Sequence, residues 1–151
     1  MRTAEVSRPH PTAAGTWAGR VFDGQAKLRY LATADGLRDA AVRLSTAASE
    51  FGCWNVMPAS PLAAGAVAAA TVLHPELRAC DIASVRSGQV HKVVLVETVA
   101  VSGLRMRQSA AAVHDAGAAW VGAAVLFPVL APDADLRASL GLQDLDAVLC
   151  P

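Results

Sequence analysis

From Val93 to Val96 the chain runs Val-Val-Leu-Val and meets its first charged side chain at Glu97. A strand with one face in water alternates apolar and polar residues. A run without that alternation needs cover on both faces, as at the centre of a parallel sheet flanked by helices. The segment AWVGAAVLF, residues 119–127, makes the same demand, and CWNVM, residues 53–57, is a shorter apolar strand.

Helical patterns separate these strands. Between Asp35 and Glu50, Leu37, Ala41, Leu44 and Ala48 recur at helical spacing, with Arg38, Asp39 and Arg43 left for water. Phe51-Gly52 ends that helix, with glycine in its usual place past the last turn. Pro61 suits the first turn of a second helix, Pro61 to Leu73, which is apolar almost all round and is expected to be sandwiched. His74-Pro75 stops it. A third helix runs from Leu104 to Ala116, with Met106, Ala110 and Val113 on one face and Gly117 as its stop. DIASVR, residues 81–86, reads as a short strand, and residues 133–150 as a short helix and an edge strand.

Strands alternating with helices through short connections predict an α/β fold: an open, mostly parallel sheet with helices on both faces. The length of 151 residues suits one domain over residues 17–151, behind a mobile N-terminal arm at 1–16 that Trp17 to Phe22 could anchor.

Composition narrows the partners. Thirteen Lys and Arg balance thirteen Asp and Glu, so no general attraction for nucleic acid or an anionic membrane is expected. Hydrophobic residues make up 54% and charged residues 17%, against roughly 25% in ordinary domains, which points to a homo-oligomer or a partner subunit. Cys53, Cys80 and Cys150 form no CxxC pair, and the four histidines have no metal-ligand spacing. No metal site is expected, and a reducing cytoplasm fits best. Glu5, Arg8, Pro9 and Pro11 break any leader-like apolar stretch, and Pro128 breaks the run from Gly117 to Pro132.

In open parallel sheets ligands bind beyond the carboxyl ends of the strands. Two polar loops join a strand end to a helix start, Pro58 to Pro61 and Glu97 to Gly103, and both should lie on the same edge. At the second, the unpaired amides of the helix start, the hydroxyls of Thr98 and Ser102, and Gly103 with its freedom for close backbone approach suit an anion. Arg105 and Arg107 oppose the helix dipole there; a bound phosphate would reverse that penalty, and the alternative is that both point into solvent.

The segment VVLVETVAVSG, followed by AAAVHDAGAAWVGAAVLF, resembles the phosphoribosyl-pyrophosphate-binding strand, loop and helix of type I phosphoribosyltransferases, most closely the orotate branch. NVMPASPLAAGAVAAA resembles the strand, pyrophosphate loop and helix of the same fold. Together the matches cover most of Cys53 to Phe127. The resemblance implies that Ser102 and Gly103, with Val101, Leu104 and Arg105 around them, bind the ribose phosphate. It further implies that Glu97 and Thr98 meet the ribose hydroxyls, that Ala59 and Ser60 stand in the pyrophosphate loop, and that magnesium arrives bound through the ligand.

Departures from the family pattern bear on activity. Thr98 stands where the second acid is expected and cannot ionise to stabilise charge on the sugar; Val101 replaces a threonine. Pro-Ala-Ser-Pro has no glycine, and its prolines lack N–H, so a proline-bounded turn that starts a helix is an equal reading of that loop. The flap region, His74 to Lys92, offers only Arg78, Arg86, His91 and Lys92. The expected function is therefore a phosphoribosyltransferase-like protein with a degenerate site that binds phosphoribosyl pyrophosphate or a nucleotide. Alternatives are an active transferase moving phosphoribose to a nitrogenous base, and an interaction scaffold without ligand.

Overall fold

A computed structural model describes residues 25–100, 104–128 and 146–149. The expected arm at 1–16, its anchor at Trp17 to Phe22 and the helix expected after Asp133 lie outside them. A short helix over 25–31 (α1) leads into α2 (Ala34–Phe51). Then come β1 (Asn55–Pro58), α3 (Pro61–Leu73), β2 (Arg78–Ala79), α4 (Ile82–Arg86), β3 (Lys92–Ala100), α5 (Leu104–Asp115), β4 (Trp120–Pro128) and β5 (Asp146–Leu149).

The five strands form one sheet in the order β2-β1-β3-β4-β5, and every pairing is parallel. The chain builds outward from β1 to β2, then returns to the other side of β1 with β3. That reversal makes the β1/β3 boundary the topological switch point, where the crevice of such sheets opens. The strands differ in reach. β1 pairs with β3 only as far as Pro58↔Val96, whereas β3 and β4 stay paired to Ala100↔Pro128.

Alternating side chains of the central strands build two cores. Val94 and Val96 of β3, with Ala124 and Leu126 of β4, pack against Leu44, Ala48, Val67 and Ala70 of α2 and α3. Val93 and Leu95, with Ala123 and Val125, pack against Met106, Ala110 and Val113 of α5. Helices thus cover both faces, as the unbroken apolar strands require.

The helix boundaries have local causes. Thr33 caps α2 by accepting from the Gly36 amide at 3.0 Å, while its own hydroxyl donates to Tyr30 O at 2.6 Å. Gly36 is buried there, and a Cβ on it would collide with the Tyr30 carbonyl. At the far end Gly52 closes the helix in the left-handed region at φ 63°, its amide donating to Ala48 O and Ser49 O. Ser60 caps α3 and Pro61 occupies its first turn.

Four expectations need correction. Residues 81–86 are not a strand: Asp81 accepts from the Ser84 amide at 2.9 Å and the Ser84 hydroxyl at 2.8 Å, so Ile82–Arg86 turns as a capped helix. The Ser84 amide, with its hydroxyl next, holds the Asp81 carboxyl below its ordinary pKa. Second, α3 is not sandwiched: Ala63, Ala66, Val67 and Ala70 are buried, while Leu62, Val72 and Leu73 are exposed. Third, β3 does not end at its first charge but runs on to Ala100, because β4 continues beside it.

The fourth concerns Arg43, which was expected to face water. Its Nε pairs with Asp39 Oδ1 at 2.9 Å and its Nη1 donates to Leu126 O at 2.8 Å, fixing α2 to the carboxyl end of β4. The guanidinium lies 4.4 Å from the centroid of the Phe127 ring, and Tyr30 meets that ring edge-on at 6.1 Å. Long side chains snorkel along apolar surface in this way, and helical periodicity does not reveal it. No described helix is long and apolar enough to cross a membrane.

Candidate functional site

A buried carboxylate lies at the β1/β3 switch point. Glu97 is 6% exposed and Ser60, at the start of α3, is 8% exposed. The Ser60 hydroxyl donates to Glu97 Oε1 at 2.8 Å and accepts from the Ala63 amide at 3.2 Å. The Thr98 amide donates to the same carboxylate oxygen at 3.1 Å. Ser60 of the first predicted loop thus meets Glu97, the first residue of the second, through a direct bond between their side chains, although Glu97–Ala100 is strand.

This arrangement satisfies several demands at once. A carboxylate withdrawn from water needs hydrogen bonds, and it receives them from a hydroxyl and a backbone amide. The first turn of α3 carries partial positive charge and has no acidic residue of its own, so Glu97 supplies the compensating negative charge from a neighbouring strand. Glu97 is consequently held in a fixed orientation at this end of the β1/β3 pair.

Thr98 is placed differently. Adjacent residues of a strand point to opposite faces, so Thr98 follows Val94 and Val96 toward the α2 and α3 side while Glu97 follows Val93 and Leu95. Its side chain is 1% exposed, and Oγ1 has no hydrogen-bond partner among the described residues. The sequence put Glu97 and Thr98 side by side in a loop; the strand separates them.

The Ala59 amide donates to Val96 O at 2.8 Å and thereby extends the β1/β3 ladder by one bond. Val101, Ser102 and Gly103 lie outside the described residues. Leu104 opens α5, whose first turn contains no acidic residue, and Arg107 further along it is exposed. Of Arg105 the structure gives the helical backbone position. The link between Ser60 and Glu97 had no sequence signal beyond the shared edge, since 37 residues separate them.

No three His, Cys, Asp or Glu side chains gather as a metal cluster among the described residues. A cavity of about 460 Å³ opens at the opposite end of the strands, lined by Cys53, Trp54, Asn55, Glu76, Arg78 and Lys92. It sits at the amino ends of β1 and β3, away from the edge where such sheets carry their ligand sites. The buried carboxylate at the switch point therefore outranks this hollow as the candidate site.

A scan against protein-family models finds no match, and searches of curated proteins and of solved structures find none either.

Proposed function

We propose that the switch-point crevice binds a phosphorylated ribose, in the manner of a type I phosphoribosyltransferase that has kept its sugar-phosphate site and lost its transfer chemistry. The observation that carries this reading is the buried Glu97, fixed by Ser60 beside the start of α3 at the carboxyl edge of the sheet. Glu97 would accept from the ribose hydroxyls. The Val101–Gly103 segment, which resembles a phosphate loop, together with the amides that open α5, would hold the phosphate.

Loss of transfer chemistry follows from the same residues. Moving the sugar to a base builds positive charge on the ring, which a pair of adjacent acids would stabilise. Here the residue after Glu97 is Thr98, which cannot ionise and lies on the opposite strand face. For magnesium the described residues offer at this site one carboxylate already accepting hydrogen bonds, which is no protein cage. The ion would ride on phosphate and ribose oxygens, with the protein binding its ligand rather than the metal.

Calorimetry with ribose 5-phosphate and phosphoribosyl pyrophosphate, with and without magnesium, tests the proposal. Binding is expected, weakened about tenfold or more in Glu97→Gln, which loses a charge-assisted hydrogen bond. Gly103→Val should abolish phosphate binding and leave the fold intact. Absence of heat with both sugar phosphates at millimolar concentration would sink the reading, and pyrophosphate release with any member of a panel of bases would favour an active transferase instead.

A further inference from the structure

The hollow of about 460 Å³ at the amino ends of β1 and β3 falls within the range of small-molecule pockets, roughly 300–1,000 Å³, and its wall combines an aromatic side chain with unpaired donors. Trp54, just before β1, is 36% exposed and packs on no other ring among the described residues. Arg78 of β2 and Lys92 of β3 line the same hollow. Neither cation, nor the indole N–H of Trp54, has a hydrogen-bond or ion-pair partner among the described residues.

The main chain places these three residues on neighbouring strands. The Arg78 amide donates to Trp54 O at 2.8 Å and sets β2 beside the entry to β1. On the other side of β1, Lys92 O accepts from Asn55 Nδ2 at 3.2 Å and from the Cys53 thiol at 3.5 Å. β2 and β3 thus flank β1 at two strand spacings, roughly 10 Å, so long Arg and Lys side chains can both reach a group seated between them. Glu76, the acid on this wall, is engaged elsewhere: its Oε1 accepts from the Ser45 hydroxyl at 3.4 Å and lies 3.7 Å from His74 Nδ1. Two cations against one acid on a concave wall focus positive potential into the hollow.

We propose that this hollow is a second binding site, for a small aromatic oxyanion whose ring lies against Trp54 and whose carboxylate or phosphate is held by Arg78 and Lys92. A ligand ring gains from packing on the indole. The planar guanidinium can grip two oxygens of the head group at once, and the ammonium adds a point charge. The site lies at the opposite end of the strands from Glu97 and needs nothing from the switch point.

The test follows nitrogen–proton correlation spectra of the full chain during titration with benzoate, phenyl phosphate, inorganic phosphate and benzyl alcohol at millimolar concentration. Benzoate and phenyl phosphate should shift the amides of residues 52–55, 76–78 and 92 and the Trp54 indole N–H saturably, the tighter of the two identifying the head group. Inorganic phosphate lacks the ring and benzyl alcohol lacks the charge, so each should bind there about tenfold more weakly or worse. Arg78→Gln and Lys92→Gln should each weaken the tighter ligand about fivefold or more, whereas Glu76→Gln should tighten it about threefold. A gain of that kind cannot come from damage to the fold. No saturable shift at these residues, inorganic phosphate equal to phenyl phosphate, benzyl alcohol equal to benzoate, or unchanged affinity in both cation variants would each overturn the proposal.

Discussion

The Ser60 hydroxyl lies 2.8 Å from Glu97 Oε1 and ties the first turn of α3 to the middle of β3. Both partners are buried, so the bond is also a structural one. Ser60→Ala removes the helix cap and one donor to a buried carboxylate together, a loss of about 1–3 kcal/mol. Urea denaturation should show a lower midpoint with an unchanged slope, and Ser60→Thr should recover most of the difference. An unchanged midpoint in Ser60→Ala would mean that the bond is not made in solution.

The unpartnered hydroxyl of Thr98 leads to the opposite expectation. Replacing it with the isosteric Thr98→Val relieves a buried unsatisfied group, so stability should hold or rise by about 1 kcal/mol. Thermal denaturation reads this directly, and a fall of similar size would show that the hydroxyl has a partner.

Much of this was open to sequence reasoning, and the failures have physical causes. The β3 and β4 runs announced an interior parallel sheet because nothing else buries Val-Val-Leu-Val on both faces, and Gly52 and Pro61 marked helix ends because their backbones favour those positions. DIASVR misled because Ile82 and Val85 mimic strand composition; the deciding interaction is a local cap from Asp81, worth more over five residues than composition is. Arg43 misled because helical periodicity treats a long cation as solvated. The bond between Ser60 and Glu97 was beyond a linear reading: which strand lies beside which is settled by the crossover, and only then do the two residues meet.

Arg43 joins three elements, so its removal should be costly for a partly exposed residue. Arg43→Ala loses the bond to Leu126 O, the pairing with Asp39 and the contact over Phe127, together about 2 kcal/mol. Arg43→Lys should not rescue it, because a single ammonium cannot serve Asp39 and Leu126 O in the geometry of the guanidinium fork. Melting temperatures of the two variants decide this; full recovery with lysine would reduce the site to simple charge.

Gly122 in β4 faces the indole of Trp120, and a Cβ there would collide with the ring. Trp120 packs edge-on against Phe51 at 5.2 Å and donates from Nε1 to Asp146 Oδ2 at 2.9 Å, linking α2 to β5. Gly122→Ala should therefore displace the indole, at a cost of about 1–3 kcal/mol. Near-ultraviolet circular dichroism should change along with the melting temperature. An unaltered aromatic spectrum would mean that the ring already stands clear.

Cys80 is half-buried, with Sγ 3.6 Å from Val56 O. Burial, then the neighbouring Cys53 and Asp81, push its thiol pKa up to about 11. It should resist alkylation at pH 8 and begin to react only as the pH approaches that value, followed site by site by mass spectrometry. The raised pKa also has a stability consequence: the folded state prefers the thiol, so stability is intact below the ordinary cysteine range and is lost as the pH climbs from about 9 toward 11. Rapid labelling at pH 8 would contradict this placement.

The unequal reach of the strands gives the crevice a handedness. β3 and β4 remain paired four residues past Val96, the last β3 residue that β1 matches, an overhang of roughly 13 Å at the usual rise per strand residue. On the β4 side Glu97 stands behind paired main chain, while on the β1 side no described strand pairs with β3 beyond Val96. A molecule that came over the short strand would pass Ala59, Ser60 and Pro61 first. On that route the three-residue sill, rather than the sheet behind it, would screen what is admitted.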